Sequence, residues 1–238
     1  PSKESGARLR RELSERLENY AAQTSMVRSV HSLAFALLRT AAEEELRLIT
    51  GAEQDAVIRE LLIGQAEDGH GSWPEEMRPA LEYVGFARQL RDFLLRSIER
   101  GLGPGDLERL GHEYGRPMWS AAGEFLREYE RVQLLSRSHS YSAAELVTAV
   151  LQRPELLRDH PFHTIVVDDA QLLDPTAGKL ILGLAAQANL VVVGGDTAQS
   201  VFAFRGASSR FLQDFPAEHD IELTESYRRP TPACISIV

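Results

Sequence analysis

Two short apolar runs, Thr164-Ile165-Val166-Val167 and Leu190-Val191-Val192-Val193, bracket a stretch with helical spacing at residues 176–188. No other stretch constrains the fold as strongly. Apolar strands without polar alternation belong to parallel sheets covered on both faces, and the helix between them supplies the crossover that parallel pairing needs. The segment is therefore predicted to be a βαβ unit of an α/β domain. In open α/β sheets, ligands sit beyond the carboxyl ends of the strands. Both runs end in acids at that edge: Asp168-Asp169 after the first and Gly194-Gly195-Asp196 after the second.

The remainder of the 238-residue chain reads differently. Residues 1–45 contain two helical patterns, one starting near Ala7 and one around residues 32–39. Met26-Val27-Arg28-Ser29-Val30, short and β-branched, is predicted as a strand between them. Residues 46–140 show helical spacing at 52–66, 77–100 and 121–135, broken at Gly69-His70-Gly71 and Gly101-Leu102-Gly103-Pro104, with no strand signal. The expected organisation is a first piece of α/β domain (1–45), a helical insertion (46–140) and the rest of the α/β domain (141–238). The insertion either helps hold a ligand or is a packing module without chemistry.

Composition narrows the function classes. Lys and Arg total 26 against 35 Asp and Glu, a net charge of −9, which disfavours a protein whose whole surface clings to nucleic acid but permits a local groove that grips single strands by stacking. No apolar run is long enough to span a bilayer and no secretory leader is visible, so no membrane partner is expected. The single cysteine, Cys234, fits a reducing cytoplasm and is expected to be inert. The histidines His70, His112, His139, His160, His163 and His219 show no metal-ligand spacing. Trp73 and Trp119 are expected to pack the helical insertion.

The acids at the strand ends carry the chemistry. Carboxylates at the end of an apolar strand are costly unless a cation or N–H donors meet them. A Walker-B arrangement meets that demand: Asp168 holds Mg²⁺, and the next acid, Asp169, orients or deprotonates an attacking water. A strand end whose acids face solvent or cap a helix is the plainer alternative.

Three strings decide between these readings. Val166-Val167-Asp168-Asp169-Ala170-Gln171 resembles helicase motif II. Gly195-Asp196-Thr197-Ala198-Gln199-Ser200-Val201-Phe202-Ala203-Phe204-Arg205-Gly206-Ala207 resembles motif III, and Leu223-Thr224-Glu225-Ser226-Tyr227-Arg228-Arg229-Pro230 resembles motif IV. In this order and spacing they are similar to superfamily 1 DNA helicases of the UvrD/Rep/PcrA type. Weaker matches extend backwards to Ser29-Val30-His31-Ser32 and to Pro1-Ser2-Lys3, the latter in the motif Ia region. Leu48-Ile49-Thr50-Gly51-Ala52-Glu53-Gln54-Asp55 and the Asp-Ala-Gln of motif II resemble the AdnA type of helicase–nuclease subunit most closely.

The resemblance implies a partial RecA-like (P-loop NTPase) parallel-sheet domain with a large helical insertion. It implies a DNA helicase or translocase acting in DNA repair or end resection, with ATP and Mg²⁺ as cofactors, single-stranded or duplex DNA as partner, and a second helicase subunit as a further one. By resemblance, Gln199 senses the terminal phosphate, Tyr227 stacks on adenine and Arg228 contacts the γ-phosphate. Phe202 and Phe204 stand where aromatics stack on bases, and Arg205 and His31 lie beside that strand. Plainer readings exist: core packing for the two phenylalanines, which would share strand parity, a surface pair for Arg228, and a structural role for His31.

Two departures qualify the expectation. No Gly-x-x-x-x-Gly-Lys-Ser/Thr loop occurs, and Gly178-Lys179 has neither the preceding glycine nor the following hydroxyl, so nothing cradles the β- and γ-phosphates. By the resemblance, that loop belongs upstream of Pro1 and a second motor domain belongs after Arg228. The expectation is a piece of a larger helicase that does not hydrolyse ATP alone. Asp169 also replaces the usual Glu. Its carboxylate is withdrawn by about 1.5 Å, one C–C bond, and a displacement near 1 Å can cost on the order of 100-fold in rate. A degenerate motor kept for DNA binding or scaffolding is therefore the alternative.

Overall fold

The computed structural model describes residues 3–16, 27–42, 45–136, 140–159 and 162–224. Helix α1 (Lys3–Arg16) is followed by α2 (Val30–Ala41). The strand expected at 26–30 is not there. Val27–Ser29 have no regular structure and Val30 opens α2, while Met26 lies outside the described residues. The reason is the Ser29 side chain, which accepts a hydrogen bond from the Ser32 N–H at 3.2 Å. That cap satisfies one of the orphan donors of the helix and outweighs the β-branched alternation.

Two short strands, β1 (Arg47–Leu48) and β2 (Ser140–Tyr141), pair in parallel at the two borders of the helical region. Residues 46–140 therefore do carry strand structure, in pieces too short for periodicity to reveal. Capping boxes follow both strands: Thr50 with Glu53 starts α3 (Gly51–Asp68), and Ser142 with Glu145 starts α7 (Ala143–Leu151). Chain entry and exit are thereby held side by side, and Ile49 N–H donates to the Tyr141 carbonyl at 2.9 Å.

Between α3 and α7 lie α4 (Val84–Glu99), α5 (Pro104–Glu113) and α6 (Pro117–Ser136). The helix expected over 77–100 is split. Glu75–Ala80 form a 3₁₀ turn containing Pro79, and Tyr83 is extended before α4 begins. Proline has no N–H to donate and disfavours helical geometry in the residue before it. These helices enclose their own core around Phe125, Leu62, Ile58 and Leu126. Trp73 packs edge-on against Phe86 and donates its indole N–H to Gln65 at 2.7 Å, as a buried indole requires. Trp119 is half-buried.

Helix α8 (Pro154–Arg158) leads to β3 (Thr164–Val167), then α9 (Pro175–Ala185), β4 (Leu190–Val193) and the short α10 (Arg210–Gln213). Strands β3 and β4 pair in parallel from Thr164↔Leu190 to Val167↔Val193, so the βαβ unit forms as its pattern requires. Its inner face packs Val167, Ala170, Ala177 and Ile181 together. A second core joins α2, α7 and α9 through Leu38, Val147, Val150 and Leu180. The expectation of cover on both faces is not met among the described residues: Val166 is 70% exposed, and Leu190 and Val192 share that outer face. No described helix is long and apolar enough to cross a membrane.

Two glycines show where packing overrides helix propensity. A Cβ on Gly111 would lie 2.5 Å from the Ser120 backbone nitrogen, so α5 and α6 touch there through bare backbone. Gly64, within α3, has open space at that position. Gly111→Ala should destabilise the chain by about 1–3 kcal/mol. Gly64→Ala should stabilise it by about 0.5–1 kcal/mol. Urea denaturation midpoints of the two variants, shifted in opposite directions, are the check.

Candidate nucleotide and DNA site

Asp168 follows the last residue of β3 and is exposed, and its carboxylate accepts the Asp169 N–H at 3.0 Å. Asp169 sits in the left-handed region (φ 53°, ψ 42°), the one non-glycine residue with positive φ among the described residues. Asp tolerates this conformation better than branched residues do, and such backbone positions cluster where a chain must turn sharply at a site. Here the turn ends β3 and starts a 3₁₀ segment, Ala170–Leu172.

Beyond the strands, the two ends stay tied. Gly194 N–H donates to the Val167 carbonyl (2.8 Å) and Ala170 N–H to the Gly194 carbonyl (3.0 Å). Gln171 is 2% exposed and lies beneath this junction. Its side-chain oxygen accepts the Asp196 N–H at 3.2 Å, and its backbone carbonyl accepts the Ser200 hydroxyl at 3.4 Å. Gly195 leaves the room this needs, since a Cβ there would come within 2.5 Å of the Gln171 amide oxygen. Sequence reasoning gave Gln171 no role of its own. Its signal was present, an amide in an apolar segment that must be buried and hydrogen-bonded.

Asp196 then organises the next loop. One carboxylate oxygen accepts the Ala198 N–H (2.9 Å) and the other the Gln199 side-chain amide (2.8 Å). Gln199 is exposed beside it. The chain continues through Phe202 into a 3₁₀ turn, Ala203–Arg205, closed by Gly206 at φ 87°. Phe202 and Phe204 are therefore not strand residues and not core. Phe204 is 71% exposed, Phe202 is 38% exposed, and their ring centres lie 6.0 Å apart. Ser208 N–H donates to the Leu173 carbonyl at 2.8 Å, returning the loop to the segment after Asp168.

His31 lies half-buried in the first turn of α2. Burial holds its pKa below the ordinary 6.5, opposed by the nearby charge of Asp174, the N-cap of α9. The structure thus brings His31 near the start of α9. Tyr227, Arg228 and Cys234 lie outside the described residues, and for Arg205 only the backbone is described.

The donor set fits Mg²⁺ held jointly with a ligand's phosphates. No group of three or more His, Cys, Asp or Glu able to cage a metal occurs among the described residues. Magnesium is commonly bound by one or two carboxylates with phosphates and waters completing its shell, and exposed Asp168 would supply one. Gly178-Lys179 is not a phosphate loop. Gly178 is buried within α9, and a Cβ there would meet the Phe211 ring at 2.9 Å. A cleft on the helical region, lined by Glu60, Asp68, Glu108, Glu124 and Glu128 against Arg127 and Arg131, lies away from Asp168. Its excess of carboxylates repels phosphates.

Glu99, the last residue of α4, is a further group that sequence reasoning missed. Burial raises its pKa from 4.5 to about 7, against the lowering effect of its ion pair with Arg96 and helped by Asp174. A carboxyl with a raised folded-state pKa contributes stability that is full below pH 4.5 and is lost as pH rises through 7. The stability difference between the parent chain and Glu99→Gln should therefore fall between about pH 4.5 and 8. Urea denaturation at several pH values measures it, and the comparison cancels the opposite trend from His31.

The chain is similar in sequence to known helicases. Residues 2–220 match the UvrD/REP helicase N-terminal domain. The chain is 25% identical over 217 residues to DNA helicase II of Escherichia coli (strain K12), covering 85% of this chain and 28% of that protein. It is 24% identical over 236 residues to the ATP-dependent DNA helicase PcrA of Staphylococcus aureus (strain Mu50), covering 92% and 30%. YjcD of Bacillus subtilis (strain 168) is 31% identical over 117 residues, 44% of this chain and 15% of that protein. The chain spans less than a third of the length of each of these relatives. With Asp168 at the strand end and the Asp196–Gly206 loop beside it, the chain belongs to the UvrD/REP helicase N-terminal domain family.

Proposed function

We propose that this chain is the DNA-gripping and metal-binding part of an ATP-dependent DNA helicase or translocase, built on a partial RecA-like domain (1–45 and 141–238) with a helical insertion (46–140). One observation carries the reading: buried Gln171 joins the Asp168 end of β3 to the loop that exposes Phe202 and Phe204. Metal and strand contacts thereby share one rigid connection.

In the proposed mechanism Asp168 would hold Mg²⁺, and Asp169 would orient the attacking water and accept its proton on a carboxylate oxygen. Bound Mg²⁺ and ATP would supply the phosphoryl chemistry, with charge neutralised by the metal. Gln199, fixed by Asp196, would report the terminal phosphate to the aromatic loop. Tyr227 would stack on adenine, and Arg228 would oppose transition-state charge. Phe202 and Phe204 stack on bases of a single strand with no sequence preference, flanked by Arg205 and His31. The protein acts in DNA repair or end resection, resembles the AdnA type and pairs with a second helicase subunit.

The shorter Asp169 favours one further reading, a degenerate motor kept for DNA binding or scaffolding. A parent gene with no Gly-Lys-Ser/Thr loop would select it. The 238-residue chain alone should show no DNA-stimulated ATP hydrolysis; robust turnover abolished by Asp168→Ala contradicts an incomplete site. Phe204→Ala should weaken oligo-dT binding by about 1–3 kcal/mol, the loss of one stacked base. Fluorescence anisotropy reads this directly, and unchanged affinity removes Phe204 from the DNA path.

A further inference from the structure

The aromatic loop is held from two sides, and the second side belongs to the helical region. Glu99 ends α4 with its side chain only 14% exposed. Its carboxylate meets the Arg96 guanidinium from within the same helix. Buried Gly206 rests directly against it: a Cβ on Gly206 would lie 2.8 Å from the Glu99 Oε2 and 3.7 Å from its Cβ. Gly206 closes the turn carrying Phe204, with Gly206 N–H donating to the Ala203 carbonyl (3.0 Å) and Ala207 N–H to the Phe202 carbonyl (3.3 Å). Behind Glu99, its backbone carbonyl lies 3.2 Å from the hydroxyl of buried Thr176, in the first turn of α9, a hydroxyl that also has the Asp174 carboxylate within 2.7 Å. Glu99 thus touches the aromatic loop, the βαβ helix and its own helix at once.

We infer that Glu99 is a positioning residue that sets the Phe202/Phe204 loop from the helical insertion, so that the insertion takes part in single-strand binding through Gly206. The contact has the character of a close-packed stop. Gly206 has a left-handed backbone and no side chain, so the carboxylate and the turn meet without slack. Removing the carboxylate frees the turn from its support while leaving Asp196 and Gln171 in place. The inference rests on the reading that this loop binds DNA, and the test separates the two.

Hydrogen exchange and oligo-dT anisotropy on the 238-residue chain provide that test. In Glu99→Ala, amides of residues 203–207 should exchange roughly 10-fold faster, while the α4–α6 core amides keep their protection. Affinity for oligo-dT should fall roughly 5-fold, a fraction of one stacking contact. Glu99→Gln, which keeps the shape and the contact with Gly206, should restore both to within about 2-fold. Glu99→Asp, which withdraws the carboxylate from Gly206 by one methylene, should give an intermediate acceleration and serves if Glu99→Ala does not fold. Loop exchange unchanged in Glu99→Ala, or in Glu99→Asp where the alanine variant does not fold, overturns the inference. So does accelerated exchange with unchanged affinity in a chain whose Phe204→Ala variant does lose affinity. If Phe204→Ala also leaves affinity unchanged, accelerated exchange still supports the positioning contact, and the DNA reading of the loop is what fails.

Discussion

The hydrogen bond from the Asp196 N–H to the buried side chain of Gln171 joins the two halves of this site. A parallel pair of four-residue strands does not by itself order the loops beyond its carboxyl ends. Gln171 supplies that order by accepting one loop's N–H with its side chain and the Ser200 hydroxyl with its carbonyl. A buried amide is costly to leave unpaired, so the bridge holds the Asp168 edge and the aromatic loop in fixed relation.

The helical region between β1 and β2 adds a second constraint. Its entry and exit are clamped by the two-residue parallel pair and its capping boxes, and its α4 terminus reaches the loop through Glu99. The net charge of −9 is compatible with a strand-gripping surface because the loop offers ring faces, whose stacking does not depend on a basic surface. Glu99 and Arg96 lie against that loop at Gly206, and Asp174 acts electrostatically on both Glu99 and His31, whose burial moves them away from their ordinary pKa values in opposite directions.

How much of this was legible in the sequence depended on the length of the signal. The βαβ unit was readable because two four-residue apolar runs and an eleven-residue helix each exceed the period that defines them. Strands β1 and β2 were not, since two residues carry no period. Met26–Val30 misled because β-branched alternation competes with a serine cap, and the cap satisfied a backbone donor. Phe202 and Phe204 looked like strand partners by parity, whereas the turn closed by Gly206 places both rings outward. The motif strings pointed to Asp168 and Gln199. They did not point to Glu99, about a hundred residues from the loop it touches, because no local pattern records a contact made only by tertiary packing.

Gln171 ties the Asp168 edge of the strand pair to the aromatic loop. Amide hydrogen exchange of the 238-residue chain carrying Gln171→Leu tests that tie most directly. Amides of residues 196–206 should exchange roughly 10-fold faster than in the parent chain while the α3–α6 core keeps its protection, since leaving a buried partner unpaired costs about 1–3 kcal/mol. Exchange of these amides equal to that of the parent would contradict the tie.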